Sequence, residues 1–269
     1  MPRFAANLTM MFTEWDFLDR FSAAADAGFT AVEYLFPYGH APEAIAERLS
    51  RNRLTQALFN LPPGDWTAGE RGLAALAGRL DDVRAGVAAA IPYIVATGVK
   101  RVHLMAGNAD RHESRATSAY RNAVTWTAER LGAEGLDLVL EPINGRDMPG
   151  YFLNDFAFAT NLIRELALPN LKLQFDIYHR QILHGDVTTA LRQMMPVIGH
   201  VQIASVPSRH EPGSEELNDR FLFGELDRLG YDGFVGCEYF PRAGTLAGLG
   251  WFSAYAAAKP PRAAGDGRA

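Results

Sequence analysis

Short apolar runs alternate along this chain with longer segments in which apolar and polar residues mix. The runs contain many β-branched and aromatic residues and end in glycine, proline or polar residues, a pattern typical of buried parallel strands. Eight runs fit this description: Phe4–Leu8, Ala31–Phe36, Thr55–Asn60, Arg101–Met105, Leu136–Glu141, Leu171–Asp176, Gly199–Ile203 and Phe234–Glu238.

The longer segments have apolar residues at helical spacing. Strands that alternate with helices imply a parallel sheet, and eight is the number of strands that closes a barrel. The predicted fold class is therefore α/β, a single (β/α)₈ TIM barrel. Helices are predicted most clearly at Asp16–Ala27, Asp81–Thr97, Ser118–Leu131 and Leu217–Leu229.

An open, doubly wound sheet is the competing architecture. That fold usually has a glycine-rich phosphate loop after its first strand, whereas Thr9, Met10, Met11 and Phe12 follow the first strand here. The barrel is therefore favoured. Residues 1–258 are predicted to form one catalytic domain, because no linker or repeat divides them. Residues 259–269 are rich in proline, glycine, alanine and charge, and we expect a disordered tail there.

Composition and charge narrow the possible partners. The 269 residues are 48% hydrophobic and carry a net charge of -5, whereas a nucleic-acid-binding protein usually has a basic patch. The one cysteine, Cys237, excludes an intrachain disulfide. No apolar run approaches the roughly 20 residues of a membrane helix, and the N-terminal residues lack the pattern of a signal peptide. We expect a cytoplasmic protein without nucleic-acid or membrane partners, and homo-oligomerisation stays open.

The predicted strand ends carry the candidate chemistry, because active sites of such barrels lie at the C-terminal ends of the strands. Glu141, Asp176 and Glu238 end three of the runs, and Gln202 lies near the end of another, after His200. A lone carboxylate there could simply cap a helix or pair with an arginine. Three that converge would repel one another when buried, and a divalent cation would relieve that repulsion. Oxygen ligands favour Mg²⁺ or Mn²⁺, and the sequence has no cysteine and histidine cluster with zinc spacing.

Other polar residues near the strand ends are candidate substrate contacts. Asn60 ends the third run and His103 lies in the fourth, although His103 could equally be a hydrogen-bonded core residue. His200 shares the strand face of Gln202. Cys237 points away from the side of Glu238, and we expect it to pack against a helix.

The connection Leu61–Gly78 is long and contains both glycine and proline. Loops of this length are often functional, and this one would rise on the catalytic side of the barrel. It could also be a surface excursion tied down by Trp66. We favour a lid in which Arg71 meets the carboxylate of an acidic substrate and Glu70 is a further substrate contact.

Several segments together resemble a known family. They are FAANLTMMFTE, VEYLFPY, LFNLPPGDWTAGERG, LEPIN, FDIYH, GHVQIA, RHEPG and VGCEY. With them the chain resembles the hydroxypyruvate isomerase family of the xylose-isomerase-like barrels, from Arg3 to Trp251. GHVQIA, RHEPG and VGCEY in combination are the most specific of these motifs.

The resemblance implies roles for named residues. Glu141 and Glu238 match the catalytic pair, and His179 and Arg209 match residues that bind the substrate's oxygens. The metal-binding positions would be Glu141, Asp176, Gln202 and Glu238. Many metal-dependent relatives have histidine where this chain has Gln202, which favours Mg²⁺ and leaves the need for metal open.

The implied reaction is the conversion of hydroxypyruvate to tartronate semialdehyde (2-hydroxy-3-oxopropanoate). A 2-oxo-tetronate isomerase is the alternative, because parts of the chain resemble that relative as well. An apurinic-site endonuclease of the same superfamily and a non-enzymatic sugar-binding barrel rank lower. The first would need a histidine-rich zinc cluster and a basic face, and the second would not need two opposed glutamates.

Overall fold

The eight apolar runs form eight parallel strands in the computed structural model, which describes residues 1–256. Each strand pairs with the next along the chain, and the last pairs with the first, so that the sheet closes into a barrel. The predicted fold is thus confirmed. The strands are β1 (Arg3–Asn7), β2 (Ala31–Tyr34), β3 (Thr55–Asn60), β4 (Arg101–His103), β5 (Asp137–Leu140), β6 (Leu171–Asp176), β7 (Ile198–Ile203) and β8 (Phe234–Cys237).

Helices connect the strands on the outside of the barrel. The predicted segment Asp16–Ala27 divides into a 3-10 turn, Phe17–Asp19, followed by α1, and Ser118–Leu131 begins four residues earlier as part of α4. The helices are α1 (Arg20–Asp26), α2 (Pro42–Asn52), α3 (Leu80–Thr97), α4 (Ser114–Gly132), α5 (Phe156–Leu166), α6 (Ile177–His184), α7 (Val187–Met194), α8 (Asp219–Arg228) and α9 (Thr245–Gly248).

Alternation along the strands separates an apolar outer face from a polar barrel interior. Outward residues such as Phe4, Val201 and Cys237 are buried in the main hydrophobic core, as predicted for Cys237. Inside the barrel, Ala5, Ala31 and Ala57 form a small apolar layer. Polar side chains lie nearer the C-terminal ends of the strands, all of them buried: Asn7, Glu33, His103, Gln174, His200 and Gln202.

The barrel strands and their helices lie within the described residues, 1–256, and the predicted domain bounds, 1–258, stay a prediction. The predicted tail, residues 259–269, lies outside the described residues. Within residues 1–256, no helix combines the length and apolar character needed to cross a membrane.

Candidate active site

Three carboxyl groups meet at the C-terminal mouth of the barrel. Glu141 follows β5, Asp176 ends β6 and Glu238 follows β8, and all three are buried. Carboxylate oxygens of Glu141 and Asp176 lie within 4.8 Å of each other. Asp176 and Glu238 both face the guanidinium of Arg209. Residues far apart in the sequence therefore share one acidic space.

Burial raises the pKa of all three carboxyl groups, because water no longer stabilises their charge. In Glu141 the charges of Glu238 and Asp176 add to burial, and the pKa lies well above its usual range. Burial raises the pKa of Glu238 to about 8 and that of Asp176 to about 6, and Arg209 opposes the shift in both. Without a bound cation, burial therefore favours the protonated forms of Glu141 and Glu238.

Asp176 and His179 are placed by the start of α6. The Oδ1 atom of Asp176 accepts hydrogen bonds from the backbone N–H groups of Tyr178 (2.7 Å) and His179 (3.4 Å), which caps the helix. The Oδ2 atom is thereby turned into the mouth. One turn into the helix, His179 points its Nε2 atom at Asp176 Oδ2 (3.6 Å) and Glu141 Oε1 (3.7 Å).

The protonation of His179 follows from its surroundings. Its Nδ1 atom lies 2.7 Å from Nδ2 and 3.4 Å from the backbone nitrogen of Asn144, both of which donate. Nδ1 is therefore the acceptor and Nε2 carries the proton. Burial, with Arg209 and His103 nearby, lowers the pKa of His179 well below its usual range. His179 is thus a neutral hydrogen-bond donor aimed into the site, which suits the substrate contact predicted for it.

Arg209 supplies the positive charge of the site. It lies in the loop after β7 with a left-handed φ of 57°, an uncommon conformation for a residue with a side chain. Its Nη2 atom is 2.8 Å from Glu238 Oε1 and 3.7 Å from Asp176 Oδ2, and its Nη1 atom is 3.0 Å from Asp147 Oδ2. The guanidinium also stacks 4.8 Å from the ring centre of Tyr178. These contacts hold one arginine head group against two acids of the mouth.

Gln202 faces the acids with its amide nitrogen. The Nε2 atom donates to Glu238 Oε2 and, over 2.8 Å, to Glu33 Oε1, while the Oε1 atom accepts from Gln174 Nε2 at 2.6 Å. To offer oxygen to a metal beside Glu238, the amide would have to rotate by about half a turn. The metal-ligand role implied for Gln202 stays a prediction that requires this rotation.

A third buried glutamate, Glu33, lies beneath the mouth and was not among the predicted site residues. Its Oε2 atom is 2.7 Å from Nε2 of His200, and its Oε1 atom also accepts from Nδ2 of Asn7 at 3.1 Å. Asn7 donates in addition to Glu238 Oε2 at 3.3 Å. Asn144 and Asp147 were missed as well, although both follow Glu141 closely in the loop after β5.

His103 and Asn60 lie on the other side of Glu141. His103 Nδ1 is 3.6 Å from Glu141 Oε2, and neither ring nitrogen has a hydrogen-bond partner in the described part of the chain. Burial, with His200 nearby, lowers the pKa of His103 to about 3. Asn60 is the register neighbour of His103 on β3. His103 therefore borders the acidic space, and Asn60 lies one strand further from Glu141.

The loop 61–78 holds Glu70 and Arg71 in contacts of its own. Glu70 accepts hydrogen bonds from the Arg79 side chain (2.6 Å) and from the backbone of Asp65 (2.6 Å). Arg71 stacks 4.0 Å above the ring of Trp66 and donates to the backbone oxygens of Trp66 and Glu70. The bonds of Glu70 are thus structural, and its predicted substrate contact would have to break them. Arg71 is held by these contacts within its own loop.

The mouth could hold a metal ion. Glu141 Oε1 and Asp176 Oδ2 are buried without a hydrogen-bond partner, an unfavourable state that a cation or a substrate atom would relieve. In the chain as described, one group of three metal-binding side chains was found, namely Glu141, Asp176 and His179. His179 Nε2 carries a proton, so the two carboxylates are the better ligands. Their oxygen atoms fit a hard divalent ion.

A closed parallel barrel with acids, neutral histidines and an arginine gathered at its strand ends has the layout of a barrel enzyme. The chain belongs to the xylose isomerase-like TIM barrel family, whose profile matches residues 21–255.

Named relatives extend this picture. The chain is 54% identical to a 2-oxo-tetronate isomerase of Cupriavidus necator, over 95% of this chain and 99% of that one. It is 43% identical to a hydroxypyruvate isomerase of Escherichia coli, over 95% and 100%. A crystal structure titled AP endonuclease, family 2, from Brucella melitensis superposes with a TM-score of 0.93 at 46% identity, covering 95% of this chain and all of that one. The predicted isomerase class and family resemblance are thus confirmed.

Proposed function

We propose that this protein interconverts the aldose and ketose forms of a short hydroxylated 2-oxo acid. The observation that carries the proposal is a pair of buried carboxyl groups, Glu141 and Glu238, in one mouth but in different surroundings. Proton transfer between neighbouring carbons needs one group to take a proton and a group to return it. Two carboxyls whose environments separate their pKa values suit those two roles.

The reaction can be followed on hydroxypyruvate. A base removes a proton from the hydroxymethyl carbon, and the electrons of that C–H bond form an enediolate with the neighbouring carbonyl. A proton then adds to the former carbonyl carbon, and the proton of the terminal hydroxyl passes to the oxygen of the former carbonyl. The product is 2-hydroxy-3-oxopropanoate, with the same atoms and no net oxidation.

The contacts favour Glu238 as the base. Gln202 and Asn7 donate to its Oε2 atom and Arg209 to its Oε1 atom, and donors stabilise the ionised form. The Oε1 atom of Glu141 has no such donor, so Glu141 is the better proton carrier for the return step. His179 would donate to a substrate oxygen from the same side as Asp176.

Mg²⁺ or Mn²⁺ is the proposed cofactor, because the mouth offers carboxylate oxygens. Glu141, Asp176 and Glu238 would hold it, joined by Gln202 if its amide rotates. When bound, such an ion polarises a carbonyl and stabilises an enediolate. The residues around it bind and orient the substrate and move the proton.

Two substrates are candidates. The 54% identity to a 2-oxo-tetronate isomerase favours that acid, whereas hydroxypyruvate is supported by the 43% identity to the Escherichia coli enzyme. One extra carbon is discriminated by only about 1–3 kcal/mol in a binding pocket. The same residues would serve both reactions, so turnover of both at different kcat/KM is the expected outcome.

An endonuclease activity is not favoured, although the similar structure from Brucella melitensis is named an AP endonuclease. Among residues 1–256 the potential metal group contains one histidine, His179, and the full chain has a net charge of -5. Recognition of a DNA backbone usually relies on a basic face.

The test is a panel assay on purified protein with added Mg²⁺, Mn²⁺ or EDTA. It should include hydroxypyruvate, 2-oxo-tetronates, uncharged ketoses and an abasic oligonucleotide. Glu141→Gln and Glu238→Gln should each lower kcat on the preferred oxo acid by at least ~10²-fold, the scale of a lost general acid or base. Glu165→Gln, on the exposed side of α5, is the matched control. Wild-type turnover in either glutamate variant would contradict the two-carboxyl mechanism.

A further inference from the structure

The carboxylate of Glu238 is held by different partners on its two oxygens. Arg209 Nη2 contacts Oε1 at 2.8 Å. Gln202 and Asn7 both donate to Oε2. Gln202 and Asn7 hold the Oε2 atom, and this leaves the Oε1 atom to face Arg209. The orientation of the Glu238 carboxylate therefore depends on whatever fixes the side chains of Gln202 and Asn7.

Glu33 orients both of those donors. Its Oε1 atom accepts from Gln202 Nε2 at 2.8 Å and from Asn7 Nδ2 at 3.1 Å. Its Oε2 atom is bonded at 2.7 Å to His200 Nε2. A side-chain amide that donates to two carboxylates at once can turn only if both bonds are lost. Glu33 thus holds the donor side of Gln202 towards Glu238.

The strands place these residues beside one another. Asn7 on β1 is the register partner of Glu33 on β2, and Gln202 on β7 is the partner of Gly236 on β8. Because β8 pairs with β1, barrel closure brings the Glu33 carboxylate against the inner face of Gly236. A Cβ atom at Gly236 would collide with both carboxylate oxygens of Glu33. Glycine therefore leaves the space that this carboxylate fills.

We propose that Glu33 is a positioning residue for the proposed isomerisation, acting through Gln202 and Asn7 to fix the orientation of the Glu238 carboxylate. His200 anchors Glu33 from below, and Gly236 makes room for it. Glu33 has no direct contact with the reacting atoms in this scheme. Its removal should therefore slow the proton transfer and leave substrate binding largely intact. The proposal rests on the proposed function, because the effect is measured on that reaction.

Three variants and one control distinguish loss of the Glu238 orientation from loss of the Glu33 charge and from the strain of an added Cβ atom. Glu33→Ala removes the acceptor of both donors. Gly236→Ala keeps every polar group but pushes the Glu33 carboxylate out of its place. Glu33→Gln keeps an acceptor oxygen at nearly the same position and loses the charge. Gly233→Ala is the matched control, because its added Cβ would also collide with a side-chain oxygen, Tyr231 Oη, but just before β8 and away from the mouth.

The measurements are kcat and KM on the preferred oxo acid, with melting temperature to confirm folding. Glu33→Ala and Gly236→Ala should each lower kcat by roughly 10- to 100-fold, the range for residues that orient catalytic groups. Their KM should stay within about threefold of wild type, because the transition state is affected more than binding. Glu33→Gln should recover most of kcat, and Gly233→Ala should keep it.

Three results would each overturn the positioning role. These are equal kcat losses in Gly236→Ala and Gly233→Ala, a loss confined to KM, or a Glu33→Gln variant as slow as Glu33→Ala. If Glu33→Ala does not fold, Gly236→Ala and Glu33→Gln still decide the matter. A wild-type protein that turns over no oxo acid is a different outcome, which overturns the proposed function before any variant is compared.

Discussion

Raising the pH from 6.5 to 8 without divalent cations should destabilise the folded protein. Glu238, with a pKa of about 8, and Glu141, with a pKa well above its usual range, keep protons in the folded state. In the unfolded chain both have released them by pH 6.5, since the ordinary pKa of a glutamate side chain is 4.5. A raised folded-state pKa contributes stability that is present at low pH and is lost as pH rises through that value.

The buried histidines also affect how stability depends on pH, and they act mainly below pH 6.5. The pKa of His103 is lowered to about 3, and that of His179 lies well below the 6.5 of an ordinary histidine. Their contribution to the pH dependence of stability has the opposite sign. Below pH 6.5 these histidines bind protons in the unfolded chain but not in the folded state, so stability rises with pH there. This histidine contribution fades as pH rises through 6.5 towards 8, whereas the carboxyl contribution persists. We therefore expect the net loss of stability to be clearest between pH 6.5 and 8.

The magnitude follows from proton counting. Each proton held only by the folded state lowers the unfolding free energy by at most about 1.4 kcal/mol per pH unit. Between pH 6.5 and 8 one such proton corresponds to ~2 kcal/mol, or roughly 4–8 °C in the melting temperature of a protein of this size.

Thermal melts at fixed ionic strength in the presence of EDTA measure this effect. In Glu238→Gln the melting temperature should fall less steeply with pH, because one of the titrating carboxyl groups is gone. Saturating Mn²⁺ should raise the melting temperature more at pH 8 than at pH 6.5, because a metal needs deprotonated ligands. A wild-type melting temperature that stays level or rises over this window would show that the carboxyl groups are already ionised, and would refute the reasoning.

Two further predictions concern ligands. Asp176→Asn should weaken Mn²⁺ binding in calorimetry more than Gln202→Ala, because it removes a charged oxygen donor, and equal losses would place the ion elsewhere. Arg71→Ala should lower kcat/KM for the oxo acid by an equivalent of about 2–4 kcal/mol, mainly through KM, and affect an uncharged ketose far less. Equal effects on both substrates would mean that Arg71 only supports its loop through Trp66.

The fold could be predicted from the sequence because each strand is a short apolar run followed by a break. The ends of the elements are harder to predict. The apolar runs include Glu141 and Glu238, whereas the strands end at Leu140 and Cys237. The two side chains still enter the mouth, because they continue the inward alternation. The helix Ser114–Gly132 is longer than its apolar pattern indicates, since its first turn is largely polar and exposed.

Parts of the candidate site were predictable for a related reason. Acids at strand ends stand out in a sequence because they interrupt apolar runs. Glu33 also interrupts an apolar run, but it lies within the run and not at its end. In the sequence it therefore looks like a strand residue that faces solvent. Its partners Asn7, Gln202 and His200 come from other strands, two of them far away in the chain, so only barrel closure reveals the network. Glu70 shows the converse, because its bond to Arg79 could not be foreseen from loop composition.

The acidic mouth is best understood through its balance of charge. Glu141, Asp176 and Glu238 would carry three negative charges if all were ionised, and Arg209 supplies one positive charge against them. The two histidines beside Glu141 add none, because burial keeps them neutral. Among these four side chains, two negative charges remain to be neutralised in a buried space, where uncompensated charge is strongly unfavourable.

Two protons or one divalent cation would each restore that balance. The raised pKa values of Glu141 and Glu238 represent the first solution, and the unpartnered oxygens of Glu141 and Asp176 make room for the second. A proton shuttle needs carboxyl groups that can exist in both forms near neutral pH. Binding of a cation would convert the same carboxyl groups from the protonated to the ionised form. Replacing one of these acids should therefore change three properties together: the metal affinity, the pH dependence of stability and the proposed acid–base chemistry.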